Sequence, residues 1–146
     1  MSNRRKITVS VAIAIALFTA PALAGCSVAE GVIEQATGSN VEVSTDSLPE
    51  GWPSEVPVAD GDIQFGGFVD NSGTKVFNVT INIAGDNPAA AIATQLEGAG
   101  FTAPVAVAPT ADGGALAYES DAWSVNVLVG RGDGSSFVAN YTVTSR

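Results

Sequence analysis

The amino-acid sequence predicts an α+β domain: an antiparallel sheet of about five strands with one helix packed on one face, in the order ββαβββ. Three observations support this fold class. Segments of alternating apolar and polar residues precede and follow a single segment whose apolar residues have helical spacing. Clusters of Gly, Asp, Asn and Ser separate these segments as turns. Such a pattern is typical of an antiparallel sheet with one face under a helix and the other in water.

The first two strands are predicted on either side of the turn at residues 70–73. From Ile63 onward, Ile63, Phe65 and Gly67 fall on one face, although Gly66 and Gly67 weaken this strand and suggest a bulge. Residues 75–83 alternate more clearly. One face of this second strand is apolar, with Phe77, Val79, Ile81 and Ile83. The other face carries Val76, Asn78, Thr80 and Asn82.

The helix is predicted to begin directly after the second strand. Asn87 offers a side-chain oxygen as N-cap, and Pro88 fits the first helical position. Gly98 and Gly100 end the helix, and Gly100 in a left-handed conformation would let Phe101 pack back on Leu96. The apolar stripe expected to lie on the sheet consists of Ala89, Ile92, Ala93 and Leu96.

Three more strands are predicted after the helix. Residues 101–108 carry Pro104, which places them at a sheet edge or in irregular structure. A short strand at residues 115–119 is followed by two longer ones at 123–129 and 137–143, joined by a glycine-rich hairpin turn. The polar faces of these strands carry Ser124, Asn126, Asn140 and Thr142.

The N-terminal residues have the three parts of a bacterial lipoprotein signal peptide. Arg4, Arg5 and Lys6 form the basic region, residues 7–20 form a mostly apolar run too short to span a bilayer, and residues 23–26 read Leu-Ala-Gly-Cys, a lipobox. We expect a diacylglyceryl group on Cys26 and cleavage before it. Two alternatives are cleavage at the A-x-A site of residues 22–24, which would free the protein, and a buried core helix.

Residues 1–25 are therefore predicted to be a signal peptide, residues 26–48 a flexible acidic tether, and residues 49–146 the α+β domain. The lipobox, the stretch that follows Cys26, and the proline-rich stretch at residues 48–58 resemble uncharacterised actinobacterial lipoproteins. This resemblance covers about residues 23–62. It implies a protein anchored to the cell membrane on the extracytoplasmic face, and it transfers no active-site residue.

Composition excludes several classes of function. All fifteen acidic residues but only three of the six basic residues follow residue 25, so phosphate backbones and anionic lipid headgroups are repelled. Nucleic acid is therefore not expected as a partner. The sequence has no histidine, which removes the commonest metal ligand and general base, and no metal or other cofactor is expected. The single cysteine is explained by lipidation.

Motifs that suggest catalysis lack their context. Ser72 and Lys75 match S-x-x-K, but no K-T-G partner exists, and a strand is predicted where that chemistry needs a helix start. Residues 131–133 spell Arg-Gly-Asp, a sequence that turn geometry alone favours. The closest carboxylate sets are Asp60 with Asp62 and Glu119 with Asp121, and neither has the pattern of a calcium site or of a hydrolase pair. We therefore expect no enzyme activity.

The expected function is a non-catalytic binding or interaction module. The bilayer holds it through acylated Cys26, and its partner is an envelope protein or a glycan. Alternatives are a structural role in envelope maintenance and a small hydrolase of unrecognised type. Trp52 either covers the open end of the core or serves as an exposed recognition residue. The polar sheet face is the expected binding surface, with Asn78, Thr80, Asn82, Asn126, Asn140 and Thr142 as hydrogen-bonding groups and Val76, Leu128 and Val138 as apolar contacts.

Overall fold

The computed structural model describes residues 40–106 and 108–146. These residues form one antiparallel sheet and one helix, which confirms the predicted α+β class. The sheet has six strands, in the spatial order β1-β2-β3-β6-β5-β4. The elements are β1 (Asn40–Ser44), β2 (Asp62–Asn71), β3 (Thr74–Ile83), α1 (Pro88–Gly98), β4 (Gly114–Glu119), β5 (Trp123–Arg131) and β6 (Phe137–Ser145).

The strand count corrects the expectation of about five. The additional strand is β1, whose residues lie within the range expected to be tether. β1 pairs antiparallel with β2 along its whole length, with Val41 opposite Val69 and Val43 opposite Gly67. Backbone pairing with a strand that begins some 20 residues later stabilises this segment. The local sequence of five residues does not indicate that pairing.

β2 contains a bulge that changes which residues share a face. The register against β3 shifts between Ile63 and Phe65, so Ile63 lies opposite Ile81 whereas Phe65 lies opposite Thr80. Ile63 therefore packs toward the core, and Phe65 points to the other face, where it is 39% exposed. The expectation that Ile63 and Phe65 share a face was wrong, because one extra residue reverses the alternation.

The core lies on the sheet face that the sequence pattern predicted. Alternate residues of the central strands are almost fully buried, and residues of β4 and the helix complete the same cluster. At one end of this face the ring of Phe77 contacts Phe68, Trp52 and Trp123 at centroid distances of 4.7, 5.8 and 6.0 Å. The buried positions of β3 and β6 are Phe77, Val79, Ile81, Ile83, Phe137, Ala139, Tyr141 and Val143.

The helix begins and ends as the sequence predicts. The Asn87 side chain accepts a hydrogen bond from the backbone N–H of Ala90, and Pro88 occupies the first turn. At the other end, Gly100 has a φ of 92° and donates its N–H to the carbonyl of Glu97, while Phe101 donates to Leu96. This pair of bonds is the Schellman motif, and it returns the buried Phe101 ring to the core.

An irregular segment over residues 49–61 covers the part of the core face that the helix leaves open. Its Val56 side chain is buried, and the backbone N–H of Ala59 donates to the hydroxyl of Tyr141 at 3.1 Å. Burial raises the pKa of Tyr141 to about 12, and the hydrogen bond from Ala59 opposes this rise. The helix and residues 49–61 together cover the core face. The opposite face of the sheet, here called the outer face, is the one that a partner can reach.

Candidate functional site

The outer face brings the six predicted hydrogen-bonding residues together. Residues opposite one another on paired strands share a face of the sheet. Thr142 of β6 lies between Asn78 of β3 and Asn126 of β5, and Asn140 lies opposite Thr80. Asn82 follows on the same face of β3, opposite Val138. The period-two pattern therefore placed all six polar side chains correctly.

Four of these side chains form a hydrogen-bond network. Asn78 and Asn140 exchange two bonds, each amide nitrogen lying 3.1 Å from the other's amide oxygen. Asn140 also donates to the Thr80 hydroxyl at 2.8 Å, and Asn78 donates to the Thr142 hydroxyl at 3.0 Å and to the carbonyl of Tyr141. Both amide hydrogens of Asn140 are thus used within the sheet. The network links β3 to β6, so these four side chains stabilise the sheet.

The other two predicted residues have different surroundings. Asn126 is exposed, and Asn82 is half-buried near the end of β3. Within residues 40–106 and 108–146, neither side chain has a hydrogen bond to another residue. Asn126 therefore keeps an amide donor and an amide acceptor directed to solvent on the outer face.

A groove of about 300 Å³ lies on the outer face at its β4 side. Its apolar part is formed by Ala115 and Ala117 of β4, Leu128 of β5, and Val105 and Ala106 of the connection that precedes β4. Val105 and Leu128 are 75% and 63% exposed. Its polar lining comes from three of the predicted residues: Asn126, Asn140 and Thr142. The lining carries no charged side chain among the described residues.

The connection between helix and β4 gives the groove its outer boundary. Thr102 and Glu119 exchange two backbone hydrogen bonds, at 2.9 and 2.8 Å, as an antiparallel pair. Pro104 is the residue that would next pair with Ala117, and it has no N–H to donate. The backbone pairing with β4 therefore stops after Thr102. Val105 and Ala106, which follow Pro104, do not pair with β4 and line the groove instead.

Trp52 lies apart from the six polar residues. Its ring packs edge-on against Phe77, whose side chain is on the core face, and its indole N–H donates to the carbonyl of Val56 at 3.0 Å. The side chain is half-buried and packs against the core cluster. Of the two roles weighed from the sequence, this position agrees with covering the open end of the core.

The remaining polar groups with chemical potential are engaged elsewhere. Glu119 forms an ion pair with Arg146 at 3.1 Å, and Asp112 accepts from Nε of Arg131 at 2.9 Å. Tyr118 donates to Glu97 at 2.8 Å, and burial, then this bond and the nearby charge, raise the pKa of Tyr118. No group of three or more Cys, His, Asp or Glu side chains suited to a metal occurs in the described part of the chain.

Cys26 and the whole predicted signal peptide lie outside the described residues. Among the residues described, no helix has the length and apolar character required to cross a bilayer.

Sequence reasoning missed the loop side of the groove. Leu128 was named as an apolar contact, but Val105, Ala115 and Ala117 were not. The signal for the two alanines was their alternation with Leu116 in the short strand predicted at residues 115–119, which places two small side chains on one face. Nothing in the sequence around Val105 shows that it lines the same groove as residues of β5.

Comparisons with known proteins add no assignment. No protein-family description, no curated protein and no solved structure matches this chain.

Proposed function

We propose that this protein is a lipid-anchored, non-catalytic binding module of the cell envelope, and that its partner binds the groove on the outer face. Acylated Cys26 would hold the chain at the extracytoplasmic face of the cell membrane. The groove is the observation that carries the proposal, because exposed apolar side chains and an unpaired amide meet there in a concave surface.

Two features of the groove favour binding over catalysis. Its lining offers amide, hydroxyl and aliphatic groups, none of which is a nucleophile paired with a base. The carboxylates nearest in sequence to its β4 floor, Asp112 and Glu119, are not part of the lining, and each forms an exposed ion pair with an arginine. A surface that recognises a partner by shape and neutral hydrogen bonds needs no other group.

Chemical cross-linking in intact cells, followed by recovery of the protein from membranes, tests the proposal. We expect Leu128→Ser to reduce cross-linking to the partner strongly, because Leu128 is the most exposed large apolar side chain of the described strands at 63%. The matched control is Leu48→Ser, since Leu48 is an exposed leucine outside the groove, at 38%. Equal cross-linking by the wild type and both variants would exclude the groove as the binding surface.

A second variant separates anchoring from binding. Cys26→Ser removes the thiol that would be acylated, so we expect the protein to leave the membrane fraction or to remain uncleaved. If purified Cys26→Ser protein still binds the partner while Leu128→Ser protein does not, the anchor and the groove act independently. Loss of binding in both variants would make membrane proximity part of recognition.

A further inference from the structure

We infer that the groove accepts an extended peptide segment with an apolar centre and a basic side chain toward each end. This inference rests on the proposed function and names the chemistry of the partner. It follows from three properties of the described residues: the neutral lining of the groove, the charges at the two ends of β4, and the hydrogen-bonding groups left free on the outer face.

The charges favour a cationic partner. The chain has a formal net charge of −9, which repels anionic ligands and attracts cationic ones. The groove itself contains no charge among its described lining residues, so the part of a ligand buried there should be neutral. Positive charge on the partner must therefore lie outside the groove, at its ends.

The two ends of β4 each present an accessible carboxylate. Glu119 is the last residue of β4, and Asp112 lies two residues before its start. Their side chains are 38% and 74% exposed although each is paired with an arginine. Exposed ion pairs of this kind are weak, so a basic group of the partner can share the carboxylate. β4 has six residues, a length of about 20 Å, which an extended hexapeptide matches.

The hydrogen-bonding groups fit a peptide backbone. Asn126 offers an amide donor and acceptor, the pair that a peptide group complements. Thr142 accepts from Asn78 and retains its own hydroxyl hydrogen as a donor. Beside these groups lies the apolar floor of Ala115, Ala117 and Leu128. A short apolar side chain next to a peptide group therefore satisfies both parts of the lining. No aromatic ring, the usual platform for a sugar, is among the described lining residues.

The test uses three blocked hexapeptides with a Val-Val centre and with lysine, serine or glutamate at both ends. Fluorescence anisotropy reports their binding to the acylated mature protein, which begins at Cys26, in discs of zwitterionic lipid, which do not attract lysine. We expect the lysine peptide to bind about tenfold more tightly than the serine peptide, from two surface ion pairs, and to lose this advantage in high salt. The glutamate peptide should bind most weakly.

Three variants assign the effect to residues. Leu128→Ser should weaken all three peptides. Asp112→Asn should weaken only the lysine peptide, and Asp86→Asn, an exposed aspartate before the helix, is its matched control. Equal affinity for lysine and glutamate peptides, or no effect of Leu128→Ser, would overturn the inference.

The outcomes distinguish this inference from the proposed function. If none of the three peptides binds but cross-linking in cells still depends on Leu128, the groove binds a partner of another chemistry, and only the peptide inference fails. Binding of a soluble N-acetylglucosamine oligosaccharide, with no binding of the peptides, would also refute only the peptide inference. It would identify the partner as a glycan. If cross-linking is also independent of Leu128, both proposals fail.

Discussion

The substitution Asn140→Ala separates the structural part of the outer face from the part available to a partner. The alanine removes three contacts: the two bonds exchanged with Asn78 and the bond to Thr80. A net contribution of about 0.5 to 1.5 kcal/mol per bond gives a total of about 1.5 to 4.5 kcal/mol for the three bonds. Water reaches these half-buried groups and replaces part of the loss, so we expect about 1 to 2 kcal/mol.

Urea unfolding followed by tryptophan fluorescence measures this loss, because Trp52 and Trp123 both pack against Phe77 in the core. A change of that size lowers the unfolding midpoint by about 1 M. Asn126→Ala is the matched control: the same residue type on the same face, exposed and without a side-chain bond to another described residue. It should change the free energy of unfolding by less than about 0.5 kcal/mol.

A double-mutant cycle with Asn78→Ala completes the test. Because Asn78 and Asn140 bond each other twice, their effects should be non-additive by about 1 kcal/mol. Additive effects, or equal losses for Asn140→Ala and Asn126→Ala, would refute the assignment of a structural role to the pair. A structural role for the pair also affects how binding data are interpreted. Weaker partner binding by Asn140→Ala would then reflect a less stable sheet.

Three further predictions concern the helix, Tyr141 and the lipid anchor. Leu96→Ala, at a fully buried helix position, should cost about 2 to 4 kcal/mol by urea unfolding. Gln95→Ala loses only an exposed 3.3 Å hydrogen bond and should cost less than about 1 kcal/mol. Equal costs for Leu96→Ala and Gln95→Ala would contradict the orientation of the helix. Burial raises the pKa of Tyr141 from 10.0 to about 12, so its stabilising contribution is complete below pH 10 and is lost as the pH rises toward 12. Stability should fall by about 1 kcal/mol near pH 11, and Tyr141→Phe, though less stable at neutral pH, should show a smaller fall; identical pH profiles would contradict this account. Mass spectrometry should find a diacylglyceryl group on Cys26. A mature N-terminus at Gly25 with a free Cys26 thiol would exclude the anchor.

The sequence was sufficient where structure depends on local pattern. The alternation in β3, β5 and β6 gave the core face and the outer face, and the capping residues gave the helix ends. These features are set within a few residues of chain, by side-chain period, by the Asn87 cap and by the left-handed Gly100.

The parts that could not be predicted depend on contacts between distant segments. β1 is a strand because β2 offers it an edge, and Phe65 reaches the outer face because β2 bulges against β3. The same limit applies to the groove. The pattern placed Asn126, Asn140 and Thr142 on one face, but only the fold shows that Asn140 bonds Asn78 and that Val105 lines the same groove as Leu128.

The strand order sets the distance between the proposed anchor and the groove. β1, the strand nearest in sequence to Cys26, is one edge of the sheet, and β4, which forms the groove floor, is the other. Five strand spacings separate these edges, about 24 Å. Fourteen residues, 26–39, join the cysteine to β1, and the covalent reach of that many residues is at most about 50 Å. With Cys26 acylated as proposed, the chain would join the membrane from the β1 side of the sheet, and the groove would lie at the edge remote from that attachment. The lipid anchor and the bound partner would then not compete for the same edge of the sheet.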